Sequence, residues 1–217
     1  MCGILGQIDH SPNLSWDVNL FSEALLLQKH RGPDAGGIES GRNFIFGHRR
    51  LSIIDLDSHA NQPMVSNDGK VTWVFNGEIY NYQELRKDLI SKGYQFKTES
   101  DTEVLLYSYY EYGIECIQHF IGMFAFAIHD LRHKRSYIVR DRLGVKPLYY
   151  CRKEGVLTFS SEIKSILKLV DLDRKINIDA VSSYFSFRYP ILDDTFLRVF
   201  TLFLRLTILR YQMIPSP

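Results

Sequence analysis

Cysteine is scarce in this chain, and where it stands argues against cross-linking. Three occur among 217 residues, Cys2, Cys116 and Cys151. The number is odd, the spacings are wide and no Cys-x-x-Cys pair is present, so neither a disulfide framework nor a zinc site organises the fold. No metal is expected. A stretch of about 20 uncharged apolar residues is also missing, which excludes a membrane-spanning helix. The opening Cys2-Gly3-Ile4-Leu5-Gly6 is too short for the apolar region of a signal peptide and has no basic flank. Neither sign of charge is in excess: Lys+Arg number 26 and Asp+Glu 25. That balance leaves no electrostatic footprint for nucleic acid or for a membrane surface. No repeat and no low-complexity segment is found. What is present is a 45% hydrophobic, 24% charged composition, ordinary for a globular protein. The length suits one generous domain, or one domain and a fragment of a second. A reducing cytoplasmic setting is the expectation, and it would keep Cys2 reduced.

Apolar periodicity divides the chain into short elements. Residues 2–8 read as a strand. Trp16 to about Lys29 carries apolar residues at Leu20, Phe21, Ala24, Leu25 and Leu27, an amphipathic helix entered through Ser15 and Asp17. His30-Arg31-Gly32-Pro33-Asp34 is a turn-rich break. Phe44–Ile54 and Lys70–Phe75 read as strands, and Tyr82–Lys92 and Asp101–Tyr112 as helices followed by Gly93 and Gly113. Strands then crowd together at Met123–Asp130, Ser136–Arg140, Pro147–Cys151 and Val156–Ser160, with a hairpin turn at Lys153-Glu154-Gly155. Short helices near Glu162–Leu169 and Asp179–Phe187 follow. Short connections imply antiparallel pairing, and runs such as Phe124-Ala125-Phe126-Ala127-Ile128 imply burial on both faces. Two stacked antiparallel sheets with helices outside, an α+β arrangement, satisfy the pattern.

Several residues could carry chemistry, each with a plainer reading beside it. Cys2 is either a small apolar residue opening a strand or a nucleophile. Loss of Met1 would make it the first residue, bearing a thiol and a free α-amine together. The amine titrates near 7.7–8.0 and could take the thiol's proton, so one residue would supply nucleophile and base. Asn76-Gly77 is either a two-residue hairpin turn or an oxyanion hole made of an amide and a backbone N–H, with glycine admitting close approach. Arg49-Arg50 is a solvated strand end, or a carboxylate clamp. Ser100-Asp101-Thr102-Glu103 has the form of a capping box. It places Asp101 in a first helical turn, where it is structural or binds a substrate ammonium.

Taken in order, these segments resemble a known family. Met1-Cys2-Gly3-Ile4, His30-Arg31-Gly32-Pro33-Asp34, Arg50-Leu51-Ser52-Ile53, Asn76-Gly77-Glu78-Ile79-Tyr80-Asn81 and Ser100-Asp101 follow the sequence of class II glutamine amidotransferases. Gly122-Met123-Phe124-Ala125-Phe126, Arg140 to Tyr150 and Ser161-Glu162-Ile163-Lys164 narrow the likeness to the glutaminase half of a glutamine-hydrolysing asparagine synthetase, over residues 1 to about 196. The resemblance implies the four-layer αββα sandwich of N-terminal-nucleophile hydrolases. It implies that Cys2 is the nucleophile, that Asn76 and Gly77 form the oxyanion hole, and that Arg50 pairs with the glutamine α-carboxylate. By the same likeness Asp101 and Glu78 recognise its amino group and side-chain amide, and Leu51, Ser52, Ile53 and Ile54 line the pocket. The Arg31–Asp34 loop lies near the nucleophile with no chemical step assigned. L-Glutamine is the implied substrate, with a synthetase domain or subunit as receiver of ammonia.

The chain also departs from that family. A complete synthetase carries a Ser-Gly-Gly-x-Asp-Ser loop for ATP, which is missing here. ATP and Mg are therefore expected only for a synthetase domain outside this chain, and no cofactor within it. After Phe196 the sequence turns into Arg198-Val199-Phe200-Thr201-Leu202-Phe203-Leu204, where a glycine and a Leu-Pro-Pro-Gly-like turn are expected. Residues 197–217 thus read as an atypical tail, sticky if exposed, on a domain of residues 1–196, as in a truncated or frame-shifted product. Three functional readings follow: a glutaminase domain of the asparagine-synthetase type, a non-catalytic remnant or partner, and a glutaminase serving another acceptor.

Overall fold

The structure is a computed structural model and describes residues 1–9, 15–53, 56–189, 191, 194–203 and 208–212. Two antiparallel sheets dominate it. The first contains β1 (Gly3–Ile8), β2 (Ala35–Ser40), β3 (Phe44–Arg50), β8 (Tyr149–Lys153), β9 (Val156–Ser160) and β10 (Thr201–Leu202), in the order β10-β8-β9-β1-β3-β2. The second contains β4 (Met64–Val65), β5 (Val71–Ile79), β6 (Gly122–Asp130), β7 (Arg135–Arg140) and β11 (Ile208–Gln212), in the order β11-β7-β6-β5-β4.

Alternation along the strands builds three layers of core. Ile4, Ile8, Phe46 and Phe159 of the first sheet meet Val74, Ala125, Ala127 and Ile138 of the second in the layer between them. The other faces are capped by helices. Trp73, Phe75, Phe124 and Phe126 pack against α3 (Asp101–Tyr112) through Leu105, Leu106 and Tyr109. Leu5 and Ile45 pack against Phe21, Ala24 and Leu25 of α1 (Val18–Leu26). The further helices are α2 (Tyr82–Ser91), α4 (Ile163–Leu169) and α5 (Ile178–Phe187). This is the expected helix–sheet–sheet–helix sandwich, and nearly continuous apolar runs in β6 are what burial on both faces demands.

The local expectations meet mixed outcomes. Helix α3 and strand β9 have the expected bounds, and the hairpin before β9 turns at Glu154 and Gly155, with φ of 51° and 85°. The capping box is only half made. The Ser100 side chain accepts from Thr102 N at 3.1 Å. Glu103, however, reaches past Ser100 to accept from Lys97 N at 3.0 Å and Thr98 N at 2.7 Å, because that loop offers unpaired donors to a nearly buried carboxylate. Strand β2 was not expected, since Ala35-Gly36-Gly37-Ile38-Glu39-Ser40 carries little apolar signal. Residues of the tail join both sheets as edge strands: Thr201–Leu202 pairs with β8 and Ile208–Gln212 with β7. Phe200, Phe203 and Tyr211 are buried there. Among the described residues no helix is long and apolar enough to cross a membrane, and no group of three or more His, Cys, Asp or Glu side chains could hold a metal ion.

Candidate active site

The site forms where a ladder runs out. Strand β1 pairs Gly3 with Arg49, so the chain before Gly3 has no strand partner left, and β3 ends at Arg50 rather than at the expected Ile54. The freed backbone of Leu51 turns to Cys2. Leu51 N–H points to Cys2 Sγ at 3.4 Å and Leu51 O lies 3.7 Å from the same sulfur. Burial pushes the Cys2 thiol above its ordinary pKa, partly offset by the Leu51 N–H, the chain-terminal amine, Arg50 and Lys146. Burial in turn lowers the pKa of that amine, carried by Met1 in this chain.

The His30–Asp34 break fastens this corner. Arg31 Nε donates to Cys2 O at 3.0 Å, and an Arg31 guanidinium nitrogen lies 3.4 Å from the Glu162 carboxylate. Asp34 accepts from Ser52 N at 2.8 Å. The loop therefore acts on the Cys2 backbone and on the wall beside it.

Across the gap runs β5. Asn76-Gly77 is no hairpin turn. The strand continues to Ile79, pairing Asn76 with Ala125 and Gly77 with Phe124 of β6, because nine residues of ladder outweigh the local turn preference of the dipeptide. Gly77 is required by this pairing, since a Cβ there would stand 2.5 Å from Met123 O and 2.7 Å from Phe124 Cα. Gln62 supports the strand from the open side, donating to Phe75 O at 3.2 Å and accepting from Phe75 N at 2.6 Å. The fully buried His48 donates to the same carbonyl through Nε2 at 3.1 Å, its pKa pushed down to about 3 by burial so that the ring is neutral. Asn76 shares the face of Val74, toward the layer between the sheets. It is 1% exposed, and neither its Nδ2 nor its Oδ1 has a hydrogen-bond partner. A buried amide with no partner is rare and costly.

Cys2, Arg50, Leu51, Ile53, Asn76, Gly77, Glu78 and Asp101 all border one pocket of about 130 Å³. Ser52 belongs to the same loop but does not border it, and Ile54 lies outside the described residues. Arg50 Nη1 donates to Asp57 O at 2.8 Å and to Asn61 Oδ1 at 2.7 Å. Asp101 Oδ2 accepts from Ile79 N at 2.9 Å. Burial raises the Asp101 pKa to about 6, against the lowering by that hydrogen bond and with a further push from the Glu78 carboxylate.

Sequence reasoning missed Lys146, which borders the pocket and is 3% exposed. Burial lowers its pKa, opposed by Cys2, Glu78 and Asp141. The Arg140–Lys146 segment delivers it by a cradle of hydrogen bonds. Asp141 accepts from Leu143 N, Val145 N and Lys146 N at 2.9 to 3.0 Å, and Arg140 Nε donates to Lys146 O at 2.7 Å. The segment was legible as a motif, yet nothing in it says that the lysine turns inward.

The arrangement thus offers a thiol, an unengaged buried amide, an arginine and two carboxylates around a small cavity. Against known families, residues 1–212 match the model described as "Glutamine amidotransferase domain". The chain is 37% identical over 187 residues to asparagine synthetase [glutamine-hydrolyzing] 3 of Bacillus subtilis, covering 85% of this chain and 30% of that protein. It is 40% identical over 191 residues to asparagine synthetase [glutamine-hydrolyzing] 1 of the same organism, covering 87% and 30%. The chain thus spans about 30% of the length of these curated relatives. Among solved structures, glutamine phosphoribosylpyrophosphate amidotransferase from B. subtilis superposes with a TM-score of 0.65 at 20% identity, over 77% of this chain and 43% of that one. At that identity the likeness concerns the fold.

Proposed function

The chain belongs to the glutamine amidotransferase domain family, and from that premise we propose that it hydrolyses L-glutamine at Cys2 and hands the ammonia to an acceptor outside the chain. The observation that carries the reading is the Asn76 amide: 1% exposed, without a partner, and bordering the pocket that Cys2 borders. Such a group is expensive to keep, and a developing oxyanion would satisfy it.

The chemistry runs as follows in this reading. Loss of Met1 frees the α-amine of Cys2, which takes the thiol proton. The amine is needed because burial holds the thiol above its ordinary pKa. The thiolate attacks the glutamine δ-carbon, forming the C–S bond while the carbonyl electron pair moves onto oxygen. Asn76 Nδ2 and the Gly77 N–H receive that oxyanion, a contribution of about 10²–10³ in rate for one donor. Collapse of the intermediate breaks the C–N bond, the amine returns its proton to the leaving nitrogen, and ammonia departs. Water then cleaves the γ-glutamyl thioester to glutamate and restores the thiol. Arg50 pairs with the α-carboxylate, Asp101 with the α-ammonium and Glu78 with the substrate's amide. Leu51 and Ile53 shape the wall beside them, with Ser52 held behind in the same loop by Asp34.

The identity to asparagine synthetases over most of this chain supports a finer reading. In it the ammonia amidates aspartate in a synthetase unit that supplies the ATP and Mg chemistry. Glutamate release by the Met1-free chain, with Cys2→Ala beside it, tests the core of the proposal. Release that disappears in Cys2→Ala is expected. Release that persists in that variant, or no release from a folded Cys2 chain, would overturn it.

A further inference from the structure

Gln62 is 6% exposed and belongs to no strand, yet it borders the Cys2 pocket. Its place follows from ladder register. The pairing of β4 with β5 sets Val65 opposite Thr72 and Met64 opposite Trp73. Continued along both chains, it sets Gln62 opposite Phe75 and Ala60 opposite Gly77. In such a ladder alternate residues turn their N–H and C=O to the same edge. On this edge of β5, Val71 O accepts from Ser66 N at 2.8 Å and Val71 N donates to Ser66 Oγ at 2.9 Å. Phe75 meets a side chain instead: Gln62 Oε1 accepts from its N–H and Gln62 Nε2 donates to its carbonyl. Ile79 N is taken by Asp101. Gly77 stands midway between these two anchors, on the same edge. Ala60, opposite it, has given its own N–H to Asp57 O at 3.2 Å. Phe124, paired with Gly77 across β6, turns its N–H and C=O to Asp141. Among the described residues the Gly77 N–H is therefore left without a partner.

We propose that Gln62 is a positioning residue for the oxyanion hole, its side chain standing in for the next pair of the β4–β5 ladder and holding β5 so that the free Gly77 N–H lies along the pocket edge. Gln62, Ala60, Gly77 and Asp101 all border that pocket. Two hydrogen bonds from one side chain fix both the position and the tilt of Phe75. His48 Nε2 adds a second donor to the same carbonyl at 3.1 Å. Gln62 Nε2 also reaches Thr102 Oγ1 at 3.4 Å, which ties the anchor to the start of α3 beside Asp101. Gln62 acts through the strand: a shift of Phe75 carries to Gly77 two residues on, and a misplacement of about 1 Å can cost about 10²-fold in rate. The role rests on the glutaminase reading, in which the Gly77 N–H meets the oxyanion.

Glutamate release and the binding of L-glutamate γ-semialdehyde, measured on the Met1-free chain and on Gln62→Met, test the role. The aldehyde carbon forms a C–S bond with Cys2, its carbonyl electron pair moves onto oxygen and the thiol proton passes to the α-amine. It thus presents the oxyanion without a leaving group. Gln62→Met keeps the length of the side chain and loses both hydrogen bonds to Phe75. Its kcat should fall at least about tenfold and its semialdehyde affinity by a similar factor, while KM for glutamine stays within about twofold. Should Gln62→Met not fold, Gln62→Asn should give the same split, because its amide is one methylene too short to bridge both Phe75 atoms. A side chain that merely braced the strand would lower the denaturant midpoint and leave kcat and semialdehyde affinity of the folded variant unchanged. That result, or a loss confined to KM, would overturn the role of Gln62 while the glutaminase reading stood. A Met1-free chain with Gln62 intact that neither releases glutamate nor binds the semialdehyde would overturn both.

Discussion

Replacing Asn76 by leucine should move stability and activity in opposite directions. The side chain is 1% exposed and both of its polar atoms lack partners. A buried polar group left unsatisfied costs about 1–3 kcal/mol. Leucine is close in size, and its neighbours on that face, Val74, Ala125 and Ala127, are apolar members of the layer between the sheets. The variant should therefore unfold at higher denaturant, gaining about 1–3 kcal/mol. That corresponds to roughly 2–4 °C of melting temperature per kcal/mol for a domain of this size. In the proposed reaction the same change removes an oxyanion donor and should cut kcat by about 10²–10³. KM should stay nearly constant, because the donor meets an oxygen that carries charge only in the transition state. Denaturant melts and glutamate release on the same preparation decide the matter. A variant that loses stability along with activity would refute the reasoning, for it would show that Asn76 holds the strand together. Preserved kcat would refute it equally.

Asp101 supplies a pH prediction. With its pKa raised to about 6 by burial, the free enzyme loses the carboxylate below that pH. In the proposed reaction the acid limb of kcat/KM should fall near pH 6 through KM, while kcat stays level because substrate ammonium bound at Asp101 would keep the group ionised. The limb should vanish in Asp101→Asn. The same shift has a stability sign: the unfolded carboxyl releases its proton near its ordinary value of 3.8 and the folded one at about 6. Between those values the folded state binds more protons, and this group's contribution to stability declines as pH rises. Lys146→Met removes a cation that lowers the Cys2 pKa, so the pH midpoint of Cys2 alkylation by iodoacetamide should move upward; an unmoved midpoint would show that the ammonium does not act on the thiol. Gly77→Ala places a methyl 2.5 Å from Met123 O and should destabilise the sandwich by about 1–3 kcal/mol in a denaturant melt. Unchanged stability would mean that β5 and β6 part freely at this point.

Much of this architecture was legible because it rests on local signals. Helix α3 has a serine cap, acidic residues in its first turn and a glycine at its end, so sequence and structure agree on both bounds. The nearly continuous apolar run of β6 named the double-buried sheet. What the chain hid is what depends on partners distant in sequence. The Asn76-Gly77 pair carries a strong turn preference, and only the pairing with Ala125 and Phe124 shows that it is strand. Lys146 reads as an ordinary surface lysine until Asp141 and Arg140 fold the loop around it. The tail has the composition of an exposed β-prone segment, and it is the open edges of β7 and β8 that receive it.

The location of the candidate site follows from where hydrogen-bond ladders end. Backbone donors inside a sheet are committed to their neighbours. At the end of β3 the ladder with β1 stops at Arg49, and Leu51 N–H becomes available to the Cys2 sulfur. Ser52 N–H becomes available to Asp34. On the facing sheet, the pairing of β4 with β5 stops at Trp73. The next backbone groups, those of Phe75, are taken by the side chain of Gln62, which leaves β5 rigid but its Asn76 side chain unengaged. The two exhausted edges face each other across the pocket. A cysteine whose backbone is pinned by Arg31 and an amide kept idle at an energetic cost are thus brought together by the same event, the termination of sheet.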